Sequence, residues 1–215
     1  TAVIFSATPQ SYSAVSIPNA HQLFAVNREG TLDIYKIAAD GLTLSLQTST
    51  PSQVYTPDGA ASGTVSGTTF DFSGQFVSGP AGVEAHTLNT TSGALGPVPG
   101  SPQTDPLSND GENVHFAPGL NLVTQTQFDC NSVGAYGITG GSLHFVNTTQ
   151  LDSSASGPQA QTSISRFLLV ENIYSHSISA CRLATSGVSG CVLVATLTTS
   201  GQSLFPAGIG AISAQ

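Results

Sequence analysis

Charged side chains are scarce in this sequence. They make up 7% of its 215 residues, against about a quarter in an average globular protein. Only four of them are cations, namely Arg28, Lys36, Arg166 and Arg182, and the formal net charge is -8. So few cations cannot build a basic face, which excludes nucleic-acid binding and attraction to an anionic membrane surface.

Long apolar runs are also missing. No stretch of about 18 apolar residues occurs, so no membrane span is predicted. No basic segment followed by an apolar one leads the chain, and the start at Thr1 without any Met is typical of a processed protein. Ser, Thr, Gly, Asn and Gln replace the missing charges. We therefore expect a secreted, extracellular β-protein whose weakly charged surface favours self-association or contact with glycans.

Cysteine occurs three times. Cys181 and Cys191 occupy matching ends of a predicted hairpin, on either side of the turn ATSGVSG. We expect a disulfide if the two lie directly opposite each other, with Cα atoms within about 7 Å. Cys130 is left over, either as a small buried apolar residue or as a partner in an intermolecular bridge.

Two NTT triplets predict N-linked glycosylation in a secreted protein. They begin at Asn89, in a predicted hairpin turn, and at Asn147, near the end of a predicted strand.

A degenerate repeat of roughly 48 residues runs through the chain, a spacing typical of propeller or solenoid arrays. Each copy has four short alternating strands separated by turns of Gly, Pro, Asn and Ser, the pattern of antiparallel hairpins. The copies cover approximately residues 11–52, 62–104, 110–150 and 159–199. One such copy matches one propeller blade. The prediction is a single all-β domain over residues 1–215, a β-propeller of four-stranded antiparallel blades, with a β-sandwich as the competing fold.

Apolar residues on the predicted strands should pack between neighbouring blades, because a blade cannot bury both its faces alone. They are Leu23, Phe24, Val26, Phe76, Val77, Leu122, Val123, Phe167, Leu168, Leu169 and Val170.

Three segments carry a resemblance to a known family. They are QLFAVNREGTLDIYKI (residues 22–37), FDFSGQFVSG (70–79) and SGALGPVPGSPQT (92–104). They resemble the repeat of lactonase-type β-propellers, which include 6-phosphogluconolactonases, carboxymuconate-lactonising enzymes and YVTN-repeat surface proteins. The resemblance implies the fold without implying an activity, since enzymes and surface proteins share this repeat.

The repeat count departs from that family, whose usual seven blades would need roughly 340 residues at this spacing. Four full repeats are flanked here by lone strands at residues 2–10 and 205–213. Three explanations stand: a small ring with a reduced closing blade, an open arc completed by another copy, or a fragment of a longer protein.

A lactonase site would need acid–base groups and a cation on one face of the ring. The candidates are His115, Glu112, Arg28 and Arg166, although none lies on a catalytic motif. Calcium is conceivable at the run DPLSNDGEN, with Asp105, Asp110 and Glu112 as oxygen ligands. Neither a cofactor nor a dedicated metal site is predicted.

These observations lead us to expect a secreted non-catalytic propeller that acts as a structural or interaction module. It would self-associate through its incomplete terminal blades, as a homo-oligomer or extracellular filament. The alternative is a lactonase-like enzyme acting on a small sugar-acid or muconate lactone. A glycan-binding propeller ranks third, because Trp is absent and the tyrosines do not recur at one repeat position.

Overall fold

The structure is a computed structural model that describes residues 12–41, 43–75 and 81–196. Within these ranges it contains 17 β-strands, in four antiparallel sheets, and no helix. The lone strands predicted at residues 2–10 and 205–213 lie outside the described residues, as do Phe76 and Val77. No helix in the described ranges has the length and apolar character needed to cross a membrane.

Each sheet is one blade, and its strands follow one another along the chain. Blade one contains β1 (Tyr12–Asn19), β2 (Gln22–Asn27), β3 (Thr31–Ile37) and β4 (Leu44–Pro51). Blade two contains β5 (Pro57–Val65), β6 (Thr68–Gln75), β7 (Gly82–Leu88) and β8 (Leu95–Pro97), and β9 (Gln103–Thr104) also pairs with β7.

The other two blades follow the same order. Blade three contains β10 (Gly111–Ala117), β11 (Leu122–Gln127), β12 (Ser132–Thr139) and β13 (Ser142–Gln150). Blade four contains β14 (Pro158–Ile164), β15 (Phe167–Asn172), β16 (Ser177–Ala184) and β17 (Gly187–Thr196). The fold is therefore the expected β-propeller of four-stranded blades.

The first strand of each blade packs beside the first strand of the next, so β1, β5, β10 and β14 form the inner wall. These strands run in the same direction: Ser13 and Ser16 of β1 contact Pro57 and Ser62 of β5 in turn. We call the end where the inner strands begin the upper end. It carries the connections between blades and the turns between second and third strands, while the remaining turns lie at the lower end.

Three apolar clusters fill the spaces between blades. Phe24 and Leu32 pack between blades one and two, Phe72 and Tyr136 between two and three, and Leu168 between three and four. Phe167 was expected to be buried as well but is 50% exposed, whereas Leu168 beside it is fully buried. Successive side chains on a strand point to opposite faces, so Phe167 lies on the face of blade four turned away from blade three.

Blade two begins at Pro57, earlier than the predicted repeat start at residue 62. The segment PDGAASG has little β-propensity and looks like a loop in the sequence. It forms a strand because it pairs with β6 and packs closely on β10. A Cβ atom at Gly59, whose φ is +69°, would lie 2.7 Å from the backbone nitrogen of Val114.

Candidate functional site

Local turn chemistry places Arg28 at the upper end of blade one. The β2–β3 turn is closed by a hydrogen bond from the Gly30 amide to the Asn27 carbonyl, and the Asn27 side chain accepts from the Glu29 amide. Gly30 has a φ of +98°, which glycine adopts without strain. The turn projects Arg28 toward blade two, where its guanidinium donates to Asp58 over 2.5 Å.

The close approach of β5 to β10 brings a second carboxyl group to the same place. Asp58 and Glu112 are each the second residue of an inner strand. Gly59 fits against the backbone of Glu112 and Val114, since even a Cβ there would lie only 3.0 Å from the Glu112 carbonyl oxygen. Arg28, Asp58 and Glu112 therefore gather at the upper mouth of the inner wall, from three different strands or turns.

Two further carboxylates surround this group. Asp110 lies in the connection before β10, and its carbonyl accepts from the amide of Phe128 in the β11–β12 turn. That turn carries Asp129 on the solvent side. Burial, followed by the negative charges of Asp58, Asp110 and Asp129, raises the pKa of Glu112 to about 7, against the lowering effect of Arg28. At neutral pH Glu112 can therefore either accept or donate a proton.

The structure separates the other two predicted catalytic residues from this mouth. His115 lies between blades three and four, where its Nε2 is 2.8 Å from the Ser163 hydroxyl. Burial lowers its pKa to about 4, so it is neutral at pH 7. Arg166 lies in the β14–β15 turn, at the lower end of the propeller.

The three residues suggested as calcium ligands do not lie together in the structure. Asp105 is fully buried and accepts hydrogen bonds from Gln127 and Thr148 and from the Leu107 amide, so it braces the connection between blades two and three. Asp110 and Glu112 belong to the mouth. Among the residues that the structure describes, no group of three or more His, Cys, Asp or Glu side chains is arranged to hold a metal ion.

The modification sites have contrasting environments. Cys181 and Cys191 form the expected disulfide, with Cα atoms 4.0 Å apart, while the Cys130 thiol is free and lies 3.7 Å from the Leu107 carbonyl. Asn89 is exposed in the β7–β8 turn. The Asn147 amide bonds to the backbone nitrogen and oxygen of Val188 in blade four, bonds that a sugar on Nδ2 would disturb.

Sequence reasoning missed Asp58 and Asp129. The sequence did contain a signal for Asp58. If repeat two starts at Pro57, PDGA aligns with GENV, and Asp58 occupies the same repeat position as Glu112. The composition of PDGAASG concealed this alignment. Asp129 had no such signal, because its place at the mouth depends on how the β11–β12 turn packs beside Asp110.

Comparison with known proteins supports the fold. No family model and no curated protein matches the sequence. Similar solved structures include a functionally unknown protein from Desulfotomaculum acetoxidans DSM 771, with a TM-score of 0.69 and 14% identity over 94% of this chain and 59% of that one. A candidate 6-phosphogluconolactonase from Bacteroides uniformis ATCC 8492 gives a TM-score of 0.66 and 16% identity over 85% of this chain and 57% of that one.

The periplasmic gluconolactonase of Pseudomonas aeruginosa is similar too, with a TM-score of 0.63 and 16% identity over 87% of this chain and 58% of that chain. The chain thus spans less than two thirds of the length of these structures. The TM-scores establish a shared fold, which is that of lactonase-type β-propellers. Sequence identities this low do not transfer an activity.

These neighbours correct the leading functional prediction. A non-catalytic structural module was expected from the lone strands predicted at both ends, the surface rich in Ser, Thr and Gly, and the scarcity of charged residues that could serve as acids or bases. That interpretation is wrong, since several similar structures bear lactonase names and point to the alternative, an enzyme. The physical flaw lay in using overall composition: a site needs only a few charged groups, and the fold concentrates them at one mouth.

Proposed function

We propose that this protein is a lactonase-like enzyme that opens a small sugar-acid lactone at the upper mouth of the propeller. The observation that carries the proposal is the placement of Glu112, with a pKa of about 7, beside Arg28 and Asp58. A carboxyl group that titrates near the working pH is suited to general acid–base catalysis. The lactonase names of similar structures supply the reaction class.

In this proposal ionised Glu112 accepts a proton from water as the water oxygen adds to the lactone carbonyl carbon. The Arg28 guanidinium, half-exposed and oriented by Asp58, stabilises the developing oxyanion. The ring C–O bond then breaks, and Glu112 returns the proton to the departing ring oxygen. One lactone and one water give one hydroxy acid, with no other reactant.

The test is hydrolysis of δ-gluconolactone, 6-phosphogluconolactone and muconolactone, followed by acid release and corrected for the spontaneous reaction. We expect turnover of at least one lactone, and a fall in kcat/KM of about 10²–10⁴-fold in Glu112→Gln. Arg28→Gln should lower kcat by about 10²-fold. Lys36→Gln removes an exposed cation at the lower end and serves as the control with unchanged activity.

A pH profile separates a catalytic Glu112 from a merely structural one. Its ionised form should be required, so kcat/KM should rise through about pH 7 and level off above it. Glu112→Gln should lose that rise while keeping the unfolding midpoint of the parent. Turnover that is equal in parent and Glu112→Gln, or absent from all three lactones, would refute the proposal.

We further propose that the enzyme works outside the cytoplasm. Support comes from the Cys181–Cys191 disulfide, a bond favoured in oxidising compartments, and from the periplasmic location of one structural neighbour. Alkylation of the protein from its native source, without reductant, should label Cys130 alone. Labelling of all three cysteines would contradict this location.

A further inference from the structure

Charge is divided unequally between the two ends of the propeller. All Lys, Arg, Asp and Glu residues of the sequence lie within the described ranges. Ten of the twelve carboxylates lie in upper-end turns and connections or within two residues of an upper strand end: Glu29, Asp33, Asp58, Glu84, Asp105, Asp110, Glu112, Asp129, Asp152 and Glu171. Arg28 is the sole lysine or arginine at that end.

The lower end has the opposite balance. Lys36 is the penultimate residue of β3, Arg166 lies in the β14–β15 turn, and Arg182 pairs with Phe167 at the start of β15. Asp40, in the β3–β4 turn, is the carboxylate at this end. A phosphate group approaching the propeller would therefore find cations away from the proposed site and carboxylates around it.

The mouth itself shows the effect of this field. Asp58, Asp110 and Asp129 each disfavour ionisation of Glu112, and Arg28 already forms an ion pair with Asp58. Charges of one sign that line a cleft reinforce one another and select ligands by charge. A negative charge on a bound substrate would meet the same repulsion as the charge on Glu112.

We propose that the substrate of this site is an uncharged sugar lactone, not a phosphorylated or carboxylated one. This inference rests on the proposed lactonase function and narrows its substrate class. A phosphate monoester carries about -1.5 to -2 charges at pH 7, and proteins bind such groups through Arg, Lys or clustered backbone amides. A polyol lactone needs only hydrogen bonds, which carboxylates readily accept from hydroxyl groups.

The same field assists the end of the reaction. Hydrolysis converts the neutral lactone into a hydroxy acid that ionises at neutral pH. The surrounding carboxylates repel this anionic product, whereas they do not repel the neutral lactone. Product inhibition by gluconate should therefore be weak, with an inhibition constant at least ten times the KM for gluconolactone.

The experiment compares kcat/KM for δ-gluconolactone and 6-phosphogluconolactone in 20 mM and 300 mM NaCl. We expect the neutral lactone to be preferred by at least tenfold in low salt and to be insensitive to salt. The rate for the phosphorylated lactone should rise with salt, because screening weakens its repulsion. A phosphorylated lactone that is used equally well in low salt, or less well as salt increases, overturns the inference.

A pair of variants tests whether the discrimination against phosphate arises at the upper mouth. Glu29→Lys places a cation beside the mouth and should raise kcat/KM for the phosphorylated lactone severalfold, with less than a twofold change for the neutral one. Thr68→Lys adds a cation at the exposed first residue of β6, at the lower end, and should change neither. Equal effects of the two variants would overturn the inference while the lactonase proposal stands. Absence of turnover with both of these lactones would overturn this inference, and absence of turnover with muconolactone as well would refute the lactonase proposal.

Discussion

Asp71 shows how a single side chain in this fold can carry a large electrostatic cost. It lies in β6, opposite Ser62 and His86, and is fully buried between blades one and two. Ser62 donates a hydrogen bond to one of its oxygens, and the other has no partner among the described residues. Burial raises its pKa from 3.8 to about 7, although the Ser62 hydroxyl and the charge of His86 act to lower it.

A raised carboxyl pKa means that the folded state binds the proton more tightly than the unfolded state. The stabilising effect is complete below about pH 4 and is lost as pH rises through about 7. Asp71→Asn keeps an acceptor for Ser62 and removes the ionisation. We expect its free energy of unfolding to exceed that of the parent at pH 8, by up to about 4 kcal/mol at about 1.4 kcal/mol per pKa unit.

Urea unfolding at pH 4, 6 and 8 measures this difference. The gap between Asp71→Asn and the parent should widen as pH rises. Glu29→Gln, which removes an exposed carboxylate, should give a gap below about 0.5 kcal/mol at every pH. A gap for Asp71→Asn that does not change with pH would mean that Asp71 does not titrate in this interval.

The hairpin of β16 and β17 shows a constraint at the scale of one element. Cys181 is fully buried against the apolar cluster between blades three and four, and Cys191 packs on the same cluster. The register of the two strands shifts between Ala180 and Arg182, where the disulfide joins them. The bond therefore holds an irregular stretch of ladder that backbone hydrogen bonds alone secure less well.

Removing this disulfide should destabilise the protein. The cysteines are 10 residues apart in sequence, and closing a loop of this size is worth about 2–3 kcal/mol in the chain-entropy model. We expect the double variant Cys181→Ala/Cys191→Ala to lose about that much stability in urea. Cys130→Ala removes the free thiol and is the matched control, with a change below about 1 kcal/mol. Equal losses in the two would contradict a structural role for the disulfide.

Over the whole molecule, the concentration of carboxylates at the upper end has a cost in stability as well as a role in selectivity. Asp58, Asp110, Glu112 and Asp129 lie near one another at the mouth. Like charges that folding brings together repel, and salt screens them with a Debye length of about 10 Å at 0.1 M. The folded state should therefore gain stability from added salt.

We expect Tm at pH 8 to rise by about 2–4 °C between 10 mM and 200 mM NaCl, equivalent to about 1 kcal/mol. The double variant Glu112→Gln/Asp129→Asn should show about half that rise, because part of the repulsion is already gone. Choline chloride should act like NaCl if screening is the cause. A rise with NaCl alone would indicate specific sodium binding and contradict the screening argument.

The order of short strands, their grouping into blades and the disulfide could all be predicted from the sequence. Alternating apolar residues and glycine-rich turns act over a few residues, so the chain carries them locally. Two features of the fold were not predicted from the sequence. The start of β5 was hidden because PDGAASG becomes a strand only through pairing with β6 and packing on β10, and Phe167 is exposed because its face has no neighbouring blade among the described ones.

The candidate site was decided by tertiary structure. The sequence predicted a single site containing Arg28, Glu112, His115 and Arg166. In the structure Arg28 and Glu112 lie at the mouth. His115 lies between blades three and four, and Arg166 lies at the lower end. The fold also added Asp58, which reaches Arg28 only because Gly59 allows β5 to approach β10. Residue types and the alternation of apolar residues along a strand can be read from a few consecutive residues. Which charged side chains lie close together depends on how whole blades pack. Sequence by itself therefore determined the architecture of this protein, and the packing of the blades decided where its chemistry lies.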